Sequence, residues 1–286
     1  MNVAFMPLRT MDLISLLLTL RPLTTDRAAQ SLPTWWGRAA HALLLQAIGR
    51  DAPDLATALH QGSGPRPFTA STLMGRMAEG KLDSDGVYRL RFTGLTQPVS
   101  GALLAATAEG ASLAAGARLE LDYQPFRVET AHADGHVWTG QDSYTELAAA
   151  SLAGDAPRRL DMLLVSPTSF RSAGRHVPLP LPELVFGSLL ERWNAFSPVA
   201  FPSEAKRYAA ECLGVARYRL RSRPVPVKGD AWRPGALGQI TYVALTYDRY
   251  WMAVLQTLAR FALYSGIGAG TASGQGQARL SGERAA

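Results

Sequence analysis

The 286-residue chain carries a single cysteine, Cys212. No intrachain disulfide can form, and no zinc site can be built on several cysteines. Such usage fits a reducing, cytoplasmic setting. Lysine is almost as scarce: only Lys81, Lys206 and Lys228 occur among 29 Lys+Arg. Long apolar runs are missing too. The most apolar early stretch, residues 11–20, is too short to span a bilayer and is broken by Asp12, Ser15 and Thr19. Only Arg9 precedes it as a basic residue, and no small-x-small cleavage site follows closely, which argues against a signal segment. The stretch is predicted as a strand, and no membrane partner is expected.

What is present is an ordinary core-forming composition, 47% hydrophobic and 18% charged. The length suits two domains of about 140 residues. The net charge of +6 rests on arginine, with a pI of about 9.7. A guanidinium binds phosphate as a planar fork and stacks on bases, so this balance tilts toward a nucleic-acid partner.

Hydrophobic spacing supplies the element order. Leu13 to Leu20 reads as a strand. Thr34 is placed to cap a helix whose apolar face holds Trp36, Ala40, Leu43, Leu44, Ala47 and Ile48. A short helix follows, with Asp51 as its cap and Pro53 in its first turn. "FTASTLMGR" and "GVYRLRFTGL" read as strands, "PVSGALLAATAEG" as a helix, and "ARLELDYQPFRVETAHA" as one long strand broken at Pro125. The second half repeats the order. "RRLDMLLVSP" is a strand and "PELVFGSLLERWNAF" a helix. "ARYRLRSRPVPV" and "ALGQITYVALTY" are strands around a turn at Gly229-Asp230. A helix capped by Asp248 and a last strand, "GQARL", complete it. Two βαββαβ units in tandem predict an α+β chain of two ferredoxin-like domains, 1–152 and 153–286.

Five glycines crowd the eleven residues "GIGAGTASGQG" at 266–276. A dinucleotide fingerprint needs strand, glycine turn, then helix, because pyrophosphate sits on the helix N-terminus. Here the order is helix, loop, strand, and Thr271 stands where a third glycine would fall. A Walker A loop needs Gly-Lys, and no lysine follows Lys228. A loop of small residues could instead lie against a polynucleotide strand, its backbone N–H groups aimed at phosphates. On that reading Gly268→Asp should weaken RNA binding and leave the fold intact.

The loop, entered from a helix and followed by a strand, resembles that of the repeat-associated (RAMP) proteins of CRISPR systems. "ALHQGSGPRPFTASTL", "VSPTSFRSAGRHVPLPLPELVFGSLLERWNAF" and "ARFALYSGIGAGTASGQGQARL" sharpen this to the pre-crRNA-processing endoribonucleases, the Cas-six family. The resemblance implies a tandem ferredoxin-like fold, binding of CRISPR repeat RNA (precursor crRNA), and one cut per repeat. It implies a reaction without metal or cofactor, in which a ribose 2′-OH attacks the adjacent phosphate and leaves a 2′,3′-cyclic phosphate and a 5′-OH. Other subunits of a CRISPR effector complex and a homodimer are open as partners. The alternative is a non-catalytic, RAMP-type crRNA-binding subunit.

Such a reaction needs a base, an acid and positive charge on the phosphorane. Of five histidines, His41 lies in the first helix, where the family commonly carries its histidine. Arg38, three residues earlier on the same helical face, is placed to stabilise the phosphate. His60 matches the family's "LH" and reads as a helix-end residue. His132 and His136 read as a surface turn, and His176 as a loop residue. The RNA-binding expectation falls on Gly266, Gly268, Gly270, Thr271, Ser273, Gly274 and Gly276, and on Arg217, Arg219, Arg221 and Arg223, whose alternation puts them on one strand face. The family often has a cation inside the loop. Ala269-Gly270 stands there in this chain, so backbone N–H contact becomes the main expectation.

Overall fold

The computed structural model describes residues 11–23, 32–78, 81–226 and 231–282. The first unit opens with β1 (Leu13–Pro22), α1 (Gly37–Asp51), α2 (Pro53–Gln61) and β2 (Phe68–Ala70). The two-residue strands β3 (Met77–Ala78) and β4 (Lys81–Leu82) precede β5 (Tyr88–Gly94) and α3 (Gln97–Ala105). Then come β6 (Arg118–Leu121), β7 (Gln124–His132), β8 (Gly140–Asp142) and α4 (Tyr144–Ala153). The second unit runs β9 (Arg159–Thr168), β10 (Phe170–Ser172), β11 (Arg175–Val177), α5 (Pro182–Phe196), α6 (Glu204–Cys212), β12 (Leu213–Pro226), β13 (Trp232–Ala244), α7 (Arg249–Ser265) and β14 (Ala278–Leu280).

The main sheets are β2-β5-β1-β7-β6, with β8 also on β1, and β12-β13-β9-β14. In each, the opening strand lies inside the sheet, between the third and fourth strands of its βαββαβ unit, and its pairings are antiparallel. That is the ferredoxin-like arrangement twice over. Alternation in β1 explains the layering. Leu16, Leu18 and Leu20 share a core with Leu44 and Ile48 of α1, while Leu17 points to the other face. In the second unit, Leu160, Met162 and Leu164 of β9 meet Phe186 and Leu189 of α5 and Leu255 and Leu258 of α7. Asp248 caps α7 as expected, accepting from the Trp251 N–H at 3.0 Å.

Several local expectations change. Residues 118–132 form a hairpin, because Asp122 and Tyr123 both take positive φ (47° and 63°) and turn the chain. Pro125 sits within β7. Thr34 does not cap α1. The helix starts at Gly37, and the Trp36 N–H at its cap donates to Thr72 Oγ1 at 3.2 Å. Asp51 closes α1, and Ala52 precedes Pro53. The expected domain boundary between 152 and 153 falls inside α4, which Ser143 caps by accepting from the Glu146 N–H at 3.2 Å. Its Tyr144, Leu147 and Ala148 join the core of the second unit. The predicted Gly229-Asp230 turn lies outside the described residues.

Candidate functional site at the seam between the units

The glycine loop joins the two units. From the second unit, the Ala269 N–H donates to Ser169 O (2.8 Å), Gly276 N–H to Pro167 O (3.1 Å) and Gly268 N–H to Ser188 Oγ (3.1 Å). From the first, Ala70 O accepts the Gly274 N–H at 2.8 Å, and Trp35 Nε1–H donates to Ser273 O at 2.7 Å. Gly266 N–H closes α7 on Ala262 O at 3.0 Å. Gly266, Gly268, Thr271, Gly274 and Gly276 are buried, and Gly270 and Ser273 half-buried. The expected use of the loop is thereby corrected. The N–H groups of Gly266, Gly268, Gly274 and Gly276 already have acceptors inside the protein, so they are not free for phosphate. The expectation for Gly268→Asp changes too. Gly268 has φ +70°, and a Cβ there would lie 2.3 Å from Ser169 O, so the substitution strikes the fold itself.

The loop's other product is an oriented histidine. α1 is amphipathic and places His41 on its half-buried flank. His41 Nδ1 lies 3.0 Å from Ala272 O, and the ring packs on Phe68 at a centroid distance of 5.3 Å. A carbonyl only accepts, so Nδ1 carries the proton of that bond. In neutral His41 this leaves the Nε2 lone pair unprotonated. Burial lowers the pKa of His41 below the usual imidazole value. The Ala272 carbonyl opposes that, and the charges of Arg66 and His60 add to it. The group is thus held toward its basic, neutral form. Arg38 is exposed one turn earlier, with no bonded partner among the described residues.

Sequence reasoning missed Arg91, which locks the seam. It is 1% exposed, on the β5 face opposite α1. Nε donates to Gln277 Oε1 (3.0 Å), and Nη1 to Ser15 Oγ (3.0 Å) and the Leu263 carbonyl (2.5 Å). The guanidinium lies over Trp138 at 5.1 Å, and burial pushes its pKa down to about 9. Thr93 adds a bond to Tyr264 O at 2.7 Å. The only sequence signal was an arginine amid apolar neighbours in a strand. The cation missing from the loop's centre arrives from elsewhere: Arg192 of α5 donates to Gly268 O.

Arg217, Arg219, Arg221 and Arg223 are all exposed on β12, opposite Thr241, Gln239, Leu237 and Gly235 of β13. They share one face, as the alternation predicts, well away in sequence from the seam. Trp36 is core, edge-on to Phe126, and Trp35 is committed to Ser273. His132 is exposed at the end of β7, and His136 Nδ1 accepts from the Trp138 N–H at 3.2 Å. His176 lies in β11, a hairpin strand where the sequence suggested a loop, because Ala173 and Gly174 take positive φ. Among the described residues no group of three or more His, Cys, Asp or Glu converges, and no helix is long and apolar enough to cross a membrane.

Residues 162–278 match the family model "CRISPR-associated endoribonuclease Cas6". A curated Cas6 endoribonuclease of Mycobacterium tuberculosis is 26% identical over 141 residues, 49% of this chain. The match spans only 44% of that relative's length. Agreement in three dimensions extends over nearly the whole chain. A Cas6 solved as a product complex superposes with a TM-score of 0.74 at 28% identity, covering 94% of this chain and 99% of the other. A histidine-to-alanine mutant and a substrate-mimic complex of that Cas6 give 0.70 and 0.71. The Thermus thermophilus Cas6 product complex gives 0.73 at 29% identity over 95% of this chain and 99% of the other. Two ferredoxin-like units, a glycine loop that joins them, and these sequence and fold matches make the chain similar to the Cas6 endoribonucleases of CRISPR systems.

Proposed function

We propose that the chain binds CRISPR repeat RNA and cleaves precursor crRNA once in each repeat, without a metal ion. His41 Nε2 takes the proton of the ribose 2′-OH. The O2′–P bond forms as the P–O5′ bond breaks, and the leaving O5′ gains a proton from solvent. The products are a 2′,3′-cyclic phosphate and a 5′-OH. The observation that carries this reading is the bond from His41 Nδ1 to Ala272 O, which leaves Nε2 as the base. Solved relatives captured with product and with a substrate mimic support it.

The test is cleavage of an end-labelled repeat hairpin in EDTA. Cleavage to a cyclic phosphate is the expected result. Tight binding with no cut, with or without added metal, would favour a crRNA-binding subunit instead. The pH profile adds a check. A pKa held below that of free imidazole keeps His41 neutral to lower pH, so the acidic limb of the cleavage rate should fall below pH 6.5.

The arginine ribbon is proposed to run along the RNA backbone. Changing Arg217, Arg219, Arg221 and Arg223 together to Gln should weaken RNA binding for all sequences alike. If each holds one phosphate, the slope of log K against log salt should shrink by roughly 3 to 4, at about 0.7–0.9 per contact. An unchanged slope would return the ribbon to a solvated sheet face.

A further inference from the structure

Resting on the cleavage reading above, we infer that Arg66, rather than Arg38, is the cation that holds the scissile phosphate beside His41. Arg66 enters the site two residues before Phe68, the ring on which His41 packs. Its Nη1 donates to the carbonyl of Leu59, in the last turn of α2. Helix C-terminal carbonyls lack partners and carry the negative end of the helix dipole, so they anchor a guanidinium well. Gly62 leaves the room: a Cβ there would come within 3.1 Å of Arg66 Nη1. Arg66 is half-buried and so held in place, whereas Arg38 is exposed.

The bond to Leu59 occupies one edge of the guanidinium. The remaining donors have no bonded partner among the described residues. A fork with one anchored edge and one open edge suits two non-bridging phosphate oxygens. The charges that reach the His41 imidazole from nearby cations are those of Arg66 and His60. The scissile phosphate is placed between Arg66 and His41 because Arg66 stands two residues from Phe68, the ring on which the imidazole packs. Negative charge gathers on the non-bridging oxygens in the phosphorane, and a cation fixed beforehand stabilises it without reorganising.

The test compares wild type, Arg66→Ala, Arg66→Lys, Gly62→Ala and Arg38→Ala in single-turnover cleavage of a repeat RNA. Binding is measured on the same RNA with a 2′-deoxy at the cleavage site, and folding by thermal melting. Arg66→Ala should slow the chemical step by about 10²–10³, with little change in affinity or melting. Arg66→Lys should recover only part of the rate, since it lacks the fork. Gly62→Ala should cost a few-fold at most, because the tip of Arg66 can give way. Arg38→Ala should act mainly on affinity.

Two readouts separate a phosphate contact from a packing role. Sulfur at one non-bridging oxygen of the scissile phosphate should slow wild type, and that penalty should shrink in Arg66→Ala. Removing the neighbouring cation should also raise the His41 pKa and move the acidic limb of the rate upward in pH. If Arg66→Ala loses rate but keeps the sulfur penalty and the pH limb, or cuts as fast as wild type, the assignment is wrong and the cleavage reading stands. If wild type itself never cuts, both fall together.

Discussion

Replacing His41 by alanine is expected to slow cleavage of a repeat RNA by about 10²–10⁴, the usual worth of a positioned general base. Binding of an uncleavable repeat should change little. His41 contributes one half-buried ring packed on Phe68, and its hydrogen bond is to a carbonyl on a half-buried part of the loop, Ala272. The stability effect should stay near that of an ordinary substitution, about 1 kcal/mol. Linkage makes this small effect pH-dependent. The folded-state pKa of His41 is depressed, so its contribution to stability is present above the unfolded value and is lost as pH falls through the folded pKa. The loss of stability on replacing His41 should therefore be largest near neutral pH and shrink in acid. Single-turnover rates and melting curves between pH 5 and pH 8 measure both. Cleavage by His41→Ala at the wild-type rate would place the base elsewhere.

Gly37→Ala is the second large effect, and its sign decides between two physical accounts. Helix propensity alone favours alanine over glycine by about 0.5–1 kcal/mol. The tertiary contact opposes this. A Cβ at 37 would stand 1.9 Å from Ser273 O and 2.4 Å from its carbonyl carbon, so backbone on one side of the seam must move. Overpacking of that kind costs about 1–3 kcal/mol, and the contact outweighs propensity. The melting temperature should fall by roughly 2–4 °C per kcal/mol lost. The rate should fall further, since the moved loop carries Ala272, the acceptor that orients His41 one turn along α1. A shift near 1 Å is worth about 10² in rate. Melting and single-turnover cleavage of the same variant check both. A stabilised, fully active Gly37→Ala would mean that the loop does not position the histidine.

Legibility of the chain in sequence follows the range of the interaction. The α7 cap at Asp248, the strand β1, the alternating arginines of β12 and both βαββαβ orders rest on neighbours within one element, and they stand out. The hairpin at Asp122-Tyr123 did not, because non-glycine residues with positive φ leave no mark beyond an Asp. α4 was hidden by an alanine-rich stretch whose burial depends on α7. The loop was misread for a related reason. Its glycines were taken as open N–H donors facing a ligand. Only the fold shows that Ala262, Ser188, Ala70 and Pro167 already accept those bonds.

By itself the sequence determined the two-unit architecture, the basic, arginine-based surface, and His41 as a candidate on the first helix. Periodicity, capping and composition are local properties of a chain. The tertiary structure alone decided what stands around that histidine. Ala272 is 231 residues from it, Arg66 is anchored on the end of α2 through Leu59, and Arg91 closes the seam on Gln277 from 186 residues away. A hydrogen bond sets tautomer and orientation at about 3 Å. Which groups come that close is fixed by packing two domains together, and no spacing along the chain encodes it.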